Sequence, residues 1–390
     1  MHEPCFLVVE DGTVYSGKSF GHPAPRVAEL DAADLLEKSA GEVVFNTGMA
    51  GYPEILTDPS YSGQIVNMTY PMIGNYGVDG EWSEVGPDGT GRSGIKAAGF
   101  VARQVYFGPL PEGRLSLDEY MRKHTTPGIY DVDTRRLTVS IRDNGSPNAL
   151  IVRANDDGPI LSDAEQEKCL EVLSGFPAMV GRNLIGNVGT TTPCVRNPDG
   201  SPHFLLVDCG IKANIIRELT SLDCKATILP SDASIEEIQA VGADAMLFSS
   251  GPGDPSVLRE LVETIVSLLD VMPVYGICLG HQLISQALGA KTVKMKFGHH
   301  GVNHPVRDEF TKKVFVTSQN HGFVVEEKSL PDSVDVWFRN ANDGTVEGIR
   351  HRTLPVMCAQ FHPEAAPGPR DSSWIFQEFV DSLKQHLNKE

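Results

Sequence analysis

The stretch 273–289, PVYGICLGHQLISQALG, decides the fold of the C-terminal half. An apolar run comes first, then a cysteine with a glycine two positions away on either side, and then a segment with the apolar spacing of a helix. The apolar run predicts a buried strand, and the residues after Cys278 predict a helix. Gly276 and Gly280 flank Cys278 with the Gly-x-Cys-x-Gly spacing of a nucleophile elbow, a tight strand-to-helix turn. The N-terminus of the following helix favours thiolate over thiol. The alternative is a buried, unreactive thiol, the usual state of an intracellular cysteine.

Strands and helices alternate on the N-terminal side of this turn. The segments FLLVDCG, KATILP and AMLFSS predict strands, whereas KANIIRELTSLD, SIEEIQAVG and VLRELVETIVSLLD predict helices between them. This order predicts an α/β fold with a parallel, doubly wound sheet, which binds ligands at the carboxyl ends of its strands. From Lys291 onward we expect shorter strands and a final helix in SSWIFQEFVDSLKQHL.

The N-terminal half predicts a separate, mixed α/β domain. A hairpin is expected around Asp11 and Gly12, strands in GEVVFNTGM and QIVNMTYPMIG, and a glycine-rich polar loop from Val78. Helices are expected in RVAELDAADLLEKSA, LSLDEYMRKH and VDTRRLTVSIRDNG. The Pro- and Gly-rich stretch 190–203 lacks apolar periodicity and predicts a linker, which places the domains at 1–190 and 203–390.

Charge and cysteine content exclude several classes of function. The chain has 33 basic and 51 acidic residues, a net charge of -18, which disfavours binding to nucleic acid or to an anionic membrane surface. No apolar run approaches the roughly 20 residues of a membrane span. Seven cysteines without a CxxC pair indicate a reducing cytoplasm rather than a disulfide framework or a Cys-rich zinc site.

A cysteine nucleophile needs a base, and His362 is the candidate among 12 histidines. It lies in QFHPE, at the end of the strand-like segment PVMCAQF. Glu364 is two residues further, so its carboxylate can lie on the same side of an extended backbone and orient the imidazole. The alternative is a surface pair at a turn made by Pro363. Coexistence with the elbow favours the catalytic interpretation.

Three further motifs carry polar or backbone groups suited to a ligand. SSGPGDP, residues 249–255, can present backbone N–H groups that form an oxyanion hole with the N–H of Leu279, or it is an ordinary βα turn. SQNHGF, residues 318–323, suits a polar ligand, with a simple turn as the alternative. KFGHHGVNHP, residues 296–305, has a histidine spacing that matches no familiar zinc pattern, and we interpret it as a polar loop.

These motifs, in this order, resemble the class I, triad-type glutamine amidotransferases. GEVVFNTGMAGYPEILTDPSYSGQIVNMTYPMIGNYG and DVDTRRLT resemble the small subunit of glutamine-hydrolysing carbamoyl-phosphate synthetase, as do KMKFGHHGVNHP and PEAAPGP. The resemblance covers nearly the whole chain. It implies a glutaminase that supplies ammonia to a large subunit, which makes carbamoyl phosphate from bicarbonate and ATP for arginine or pyrimidine biosynthesis.

The resemblance also implies roles for individual residues. Cys278 would be the nucleophile, and His362 and Glu364 would complete the triad. Glutamine would be held by residues of the TDPSY, GPGDP, elbow and QNHGF motifs, namely Ser60, Gly251, Gly253, Leu279, Gln282, Asn320, Gly322 and Phe323. The N-terminal domain would dock on the large subunit, where ATP and Mg²⁺ are expected; no cofactor or metal is expected on this chain.

Two departures from the family pattern stand out, and neither lies in the triad. The segment from about Arg26 to Ala40 is longer than the expected turn, and Ser250 replaces an Asn that often precedes GPGDP. Two other functions remain alternatives: a docking subunit with an inactive site, and an independent cysteine hydrolase. The intact triad residues disfavour the first. An extra N-terminal domain without a catalytic cluster disfavours the second.

Overall fold

The computed structural model describes residues 3–31, 37–79, 82–86 and 94–388. The chain divides into two compact units, Met1–Ser83 with Gly94–Met179, and Glu84–Ser93 with Val180–Glu390. The boundary thus follows Met179, about ten residues before the one expected from sequence. A short segment from the middle of the first half, which includes Glu84, belongs to the second unit.

Among the residues that the structure describes, nine strands form the sheets of the first unit. They are Pro4–Val9 (β1), Val14–Gly21 (β2), Ala40–Asn46 (β3), Gln64–Met68 (β4), Met72–Ile73 (β5), Gly99–Val101 (β6), Gln104–Val105 (β7), Pro127–Tyr130 (β8) and Asn148–Val152 (β9). Seven of them close into a barrel in the order β1-β2-β8-β6-β4-β3-β9. β1 and β2 pair antiparallel, which confirms the predicted hairpin, whereas β3, β4, β6 and β8 pair in parallel.

Four α-helices accompany these strands in the described residues. They are Tyr52–Thr57 (α1), Leu117–Lys123 (α2), Thr134–Asn144 (α3) and Asp163–Gly175 (α4). Ser116 begins α2 with a capping box, in which its hydroxyl and Glu119 satisfy each other's backbone N–H groups. The helices predicted in LSLDEYMRKH and VDTRRLTVSIRDNG are confirmed. Of the helix predicted in RVAELDAADLLEKSA, Val27–Glu29 forms a 3-10 turn, and residues 32–36 lie outside the described residues.

A ten-stranded mixed sheet forms the centre of the second unit. Its strands are Cys194–Arg196 (β10), His203–Asp208 (β11), Lys225–Pro230 (β12), Ala245–Phe248 (β13), Val274–Ile277 (β14), Thr292–Asp308 (β15), Val314–Val325 (β16), Val334–Asn340 (β17), Val346–His351 (β18) and Val356–Ala359 (β19). Their order is β10-β12-β11-β13-β14-β19-β18-β17-β15-β16. β12, β11, β13, β14 and β19 pair in parallel, as the sequence predicts.

Helices cover both faces of the parallel strands. They are Ala213–Ser221 (α5), Ile235–Ala240 (α6), Arg259–Leu268 (α7), Leu279–Ala287 (α8) and Trp374–Leu387 (α9). Alternate residues of β11 enter two different cores: Phe204 packs with residues of α5 and α9, and Leu205 with residues of α7 and α8. Within the described part of the chain, no helix combines the length and apolar character needed to cross a membrane.

The remaining strands differ in part from the sequence prediction. β15 has 17 residues and β16 has 12, so these two strands are longer than expected, whereas β17, β18 and β19 have 7, 6 and 4 residues and are short, as predicted. KFGHHGVNHP lies within β15 and is therefore not a loop; His299 and His300 pair in register with His321 and Asn320 of β16. The stretch 190–203 is likewise more than a linker, since β10 pairs antiparallel with β12.

Candidate active site

The predicted strand-to-helix turn is present at Cys278. β14 ends at Ile277 and α8 begins at Leu279, while Cys278 has φ 54° and ψ -102°, a backbone conformation rarely adopted by a residue with a side chain. The flanking residues must be glycines, because there is no room for a Cβ atom at either position. A Cβ at Gly276 would lie 2.6 Å from the carbonyl carbon of Gly280, and one at Gly280 would lie 2.1 Å from the carbonyl oxygen of Phe248. The turn is therefore strained and tightly enclosed.

The Cys278 thiol lies among backbone and amide groups of two other strands. Its side chain is only 2% exposed. Sγ donates to the carbonyl oxygen of Asn320 at 3.6 Å, and Nε2 of Gln360 donates to Sγ at 3.7 Å. The contacts bring a residue of SQNHGF and a neighbour of His362 to the elbow.

The other six cysteines are free and have no such setting. Cys194 is half-buried and the other five are buried. Burial raises the pKa of Cys5 and Cys169 to about 12 and that of Cys224 to about 11, which keeps these thiols protonated and inert.

His362 and Glu364 form a buried pair just beyond β19. Nδ1 of His362 lies 2.6 Å from Oε1 of Glu364, and both residues are 1% exposed. Burial lowers the pKa of His362, but its interactions with Glu364 and Cys278 outweigh this effect and raise that pKa to about 10. Nε2 of His362 is buried and makes no hydrogen bond of good geometry among the described residues. The imidazole is thus held as a cation beside the thiol.

Two residues at the start of α5 hold the carboxyl group of Glu364 and the backbone around it. Nζ of Lys212 lies 3.1 Å from Oε1 of Glu364 and also donates to the carbonyl oxygen of Ala365, while Nδ2 of Asn214 donates to the carbonyl oxygen of Glu364. Burial raises the pKa of Glu364, but Lys212 and His362 outweigh it and lower that pKa to about 2. Glu364 is therefore ionised, with a cation on each side.

The GPGDP segment follows β13 and is anchored by residues 181–183. The backbone N–H of Asp254 donates to the carbonyl oxygen of Arg182 at 2.9 Å, and its carboxylate accepts from the N–H of Gly181 at 2.8 Å. Gly253 has φ 94°, and a Cβ there would lie 2.6 Å from the Arg182 oxygen. At Gly251 a Cβ would lie 2.2 Å from the carbonyl oxygen of Cys209. Both positions therefore require glycine, because a Cβ would overlap a neighbouring carbonyl oxygen.

Hydrogen bonds join several of the remaining predicted ligands of glutamine. Nε2 of Gln282, on α8, donates to the carbonyl oxygen of Phe323 at 2.8 Å and to Oε1 of Gln360 at 3.0 Å. Oδ1 of Asn320 is 2.9 Å from Nδ1 of His300, which fixes the amide. Gln282, Asn320 and Phe323 therefore surround the elbow together with Gln360.

Ser60 belongs to the first unit. It occupies a 3-10 turn, Pro59–Tyr61, whose start is capped by Asp58. Its Oγ is buried and makes no hydrogen bond among the residues that the structure describes. The predicted contact of Ser60 with glutamine stays a prediction.

The histidine-rich segment forms an ion-pair network with strands β16 to β18. Ligand atoms of His299, His321 and Glu347 lie within 4.8 Å of one another, a spacing that would suit a metal ion. These atoms are already hydrogen-bonded to the protein, for example His299 to Asp343 at 2.8 Å and His321 to Gln319 at 2.9 Å. Burial lowers the pKa of His299, but Asp343 and Glu347 outweigh it and raise that pKa to about 9. A protonated imidazole cannot ligate a metal.

Sequence reasoning missed Lys212, Asn214 and Gln360. Lys212 lies four positions after the end of β11, beyond the carboxyl end of a parallel strand, where side chains of α/β folds meet their ligands. That position was a usable signal for Lys212. Asn214 and Gln360 are recognisable only after the strands are placed, because their partners are 150 and 82 residues away.

Comparison with known proteins agrees with this architecture. Residues 205–382 match the family described as glutamine amidotransferase class-I, and residues 7–151 match the CPSase domain of the carbamoyl-phosphate synthase small chain. A carbamoyl phosphate synthase small chain from Methanocaldococcus jannaschii is 44% identical over 375 residues, which cover 96% of this chain and 97% of its own length. One from Chlorobaculum tepidum is 42% identical over 392 residues, with 99% of both chains covered.

The second unit, with a cysteine elbow and a His-Glu pair beside it, defines a class I glutamine amidotransferase. The full-length relatives and the N-terminal match define it further. The chain belongs to the family of carbamoyl phosphate synthase small chains, the glutamine amidotransferase subunits of the glutamine-hydrolysing enzyme.

Proposed function

We propose that this chain hydrolyses L-glutamine through Cys278, His362 and Glu364 and delivers the ammonia to a large synthetase subunit. The observation that carries the proposal is the strained elbow at Cys278, next to an imidazole held as a cation by Glu364. A thiolate beside an imidazolium is the activated form of a cysteine nucleophile.

The geometry supports an acyl-transfer mechanism. The Cys278 thiolate attacks the side-chain amide carbon of glutamine, and the carbonyl oxygen becomes an oxyanion that faces backbone N–H groups at Leu279 and the GPGDP segment. His362 donates its proton to the leaving ammonia, which breaks the C–N bond and leaves a thioester. His362 then takes a proton from water, which attacks the thioester and releases glutamate and the thiolate. Glu364 stabilises the imidazolium in both steps.

Glutamine would be held by Gly251, Gly253, Gln282, Asn320, Gly322 and Phe323 around the elbow, and by Ser60 from the first unit. The glycines let the ligand approach the backbone closely. Gln282 and Asn320 have their amide groups fixed by Phe323 and His300, so the cost of ordering them is met before glutamine binds.

The partner is a large subunit that consumes the ammonia together with bicarbonate and ATP. This role follows from the small-chain family and from the CPSase domain at residues 7–151. ATP and Mg²⁺ would be bound by that subunit, and the carbamoyl phosphate would serve arginine or pyrimidine biosynthesis. The cytoplasmic location expected from the cysteine content stays a prediction.

The test is Cys278→Ser in a complex reconstituted with the large subunit. We expect glutamine-dependent synthesis of carbamoyl phosphate to fall by more than about 10³-fold, because a serine hydroxyl lacks the nucleophilicity of the thiolate. Synthesis from added ammonium should persist, since the large subunit consumes ammonia without contacting the thiol and the change barely alters the volume of the side chain. Wild-type use of glutamine would refute the nucleophile. Loss of both activities in an assembled complex would show that the chain does more than supply ammonia.

A further inference from the structure

Glu84 is a buried carboxylate with no role in the proposed steps of glutamine hydrolysis. It comes from the glycine-rich segment after Val78, within the sequence range of the CPSase domain, yet it belongs to the second unit. Its side chain is 2% exposed. A carboxylate this deeply buried is costly unless it is paired and hydrogen-bonded, so its partners indicate its role.

Hydrogen bonds of Glu84 reach the start of α5. One carboxylate oxygen accepts from the backbone N–H of Asn214 at 3.0 Å, and the other from Nη1 of Arg217 at 3.0 Å. Its own carbonyl oxygen accepts from the N–H of Ala213 at 3.1 Å. The next residue, Val85, forms an antiparallel bridge with Lys212. The segment 84–86 therefore fixes both the start of α5 and the backbone of Lys212.

Lys212 and Asn214, at the start of α5, hold Glu364, the acid of the proposed triad. Lys212 contacts the Glu364 carboxylate and the Ala365 carbonyl through Nζ, and Asn214 donates to the Glu364 carbonyl through Nδ2. Two contact chains thus lead from Glu84 to Glu364, one through the backbone of Lys212 and one through Asn214. Glu364 in turn holds Nδ1 of His362.

We propose that Glu84 is a positioning residue for glutamine hydrolysis, which holds Lys212 and Asn214 where they fix Glu364 against His362. This inference rests on the proposed function, since it concerns the acid of that triad. In this proposal, a residue within the range 7–151 that matches the CPSase domain helps to position the acid of the amidotransferase site. Glu84 itself touches neither glutamine nor the reacting atoms.

The charges around Glu84 agree with this role. Burial raises its pKa, Lys212, the Asn214 N–H and Arg217 lower it, and Glu364 raises it, with the result at about 7. The positive charge of Lys212 thus acts on both carboxyl groups, Glu84 and Glu364.

The test measures glutamate release by the full chain carrying Glu84→Ala or Glu84→Gln. Loss of both oxygens in Glu84→Ala should lower kcat by about 10- to 100-fold, because small displacements of catalytic groups are expensive. KM should change less than about twofold, since no proposed glutamine ligand is altered. Glu84→Gln keeps an acceptor for the Asn214 N–H and should recover part of the loss, with kcat about three- to tenfold below wild type.

Glu42→Ala is the matched control, because Glu42 is also buried and hydrogen-bonded, to Gln64, but lies in the first unit. Its kcat should equal that of wild type. Wild-type kcat for Glu84→Ala overturns the proposal, as does a loss confined to KM. If Glu84→Ala does not fold, Glu84→Gln decides, and a kcat within twofold of wild type overturns the proposal. Cys278→Ser is assayed in parallel, because glutamine hydrolysis by that variant would refute the triad itself rather than the role of Glu84.

Discussion

The parallel and the antiparallel strands of the second unit support the site in different ways. Among the parallel strands, the functional groups lie in turns at strand ends, with φ 54° at Cys278 and φ 94° at Gly253. Among the antiparallel strands, they lie within β15 and β16, where His299 faces His321 and His300 faces Asn320 across the register. Backbone conformation fixes the first group, and a side-chain network fixes the second.

This difference predicts how each region responds to mutation. A strained turn is held by close packing, so one added methyl group displaces the nucleophile. A side-chain network distributes its energy over several hydrogen bonds and charges, so one change weakens it without moving the backbone. Substitutions in the parallel region should therefore act mainly on catalysis, and those in the antiparallel network mainly on stability and its pH dependence.

The largest effect is expected for Gly280→Ala. The new Cβ would lie 2.1 Å from the backbone oxygen of Phe248, so α8 and the elbow must move. We expect glutamine hydrolysis to fall by at least about 10³-fold, as for loss of the nucleophile, because the thiol no longer reaches its position. Steady-state glutamate release and thermal unfolding measure the two consequences.

Gly175→Ala is the control for that substitution. Gly175 ends α4, and a Cβ there has no atom within 4 Å. Activity should be unchanged and stability equal or slightly higher, because alanine favours the helix by about 0.5–1 kcal/mol. Near-wild-type hydrolysis by Gly280→Ala would mean that the elbow tolerates displacement, and the proposed contrast between the two regions would fail.

A smaller effect is expected for Gly253→Val in the GPGDP segment. Valine is strained at φ 94°, and its Cβ would lie 2.6 Å from the Arg182 oxygen. Loss of one oxyanion donor typically costs about 10²–10³ in rate, which we expect here in kcat. Gly242→Val is the matched control, since Gly242 has φ 61° with open space around it; it should lose stability but keep its kcat. Equal kcat values for the two variants would remove this segment from the mechanism.

The sequence predicted the parallel region well because its signals are local. Each strand, turn and helix from FLLVDCG to GHQLISQALG has its own apolar period, and Gly276 and Gly280 mark the elbow without reference to any distant residue. The pair His362 and Glu364 was also visible, because only Pro363 separates them. Local patterns therefore sufficed to select Cys278, His362 and Glu364 as candidates.

The antiparallel region was predicted poorly because its stabilising partners are remote in sequence. His299 looks like a loop residue beside glycines and other histidines, yet Glu347 neutralises it from β18, 48 positions away. The same reasoning applies to Glu84, whose charge matters only once the chain is folded. Residues whose role depends on distant partners carry no local signal.

The smallest effect is expected for His299→Gln, and it should appear in stability rather than in catalysis. Asp343 and Glu347 raise the pKa of His299 to about 9 in spite of burial. A histidine whose pKa is raised by folding contributes its full stabilisation at a pH below its unfolded-state pKa of about 6.5. This contribution is lost as the pH rises through about 9, the pKa in the folded state. His299→Gln should therefore lower the free energy of unfolding by up to about 3 kcal/mol at pH 6, and the difference should shrink toward pH 10.

His304→Gln should change stability with the opposite dependence on pH. The ring centroids of His304 and His299 are 5.1 Å apart. Burial and the positive charge of His299 lower the pKa of His304 to about 4, so its contribution to stability is present above about 6.5 and is lost as the pH falls toward 4. Denaturant unfolding of both variants and wild type from pH 5 to pH 10 measures the two slopes. Parallel curves would mean that His299 is not held as a cation, and that packing rather than charge fixes the antiparallel region.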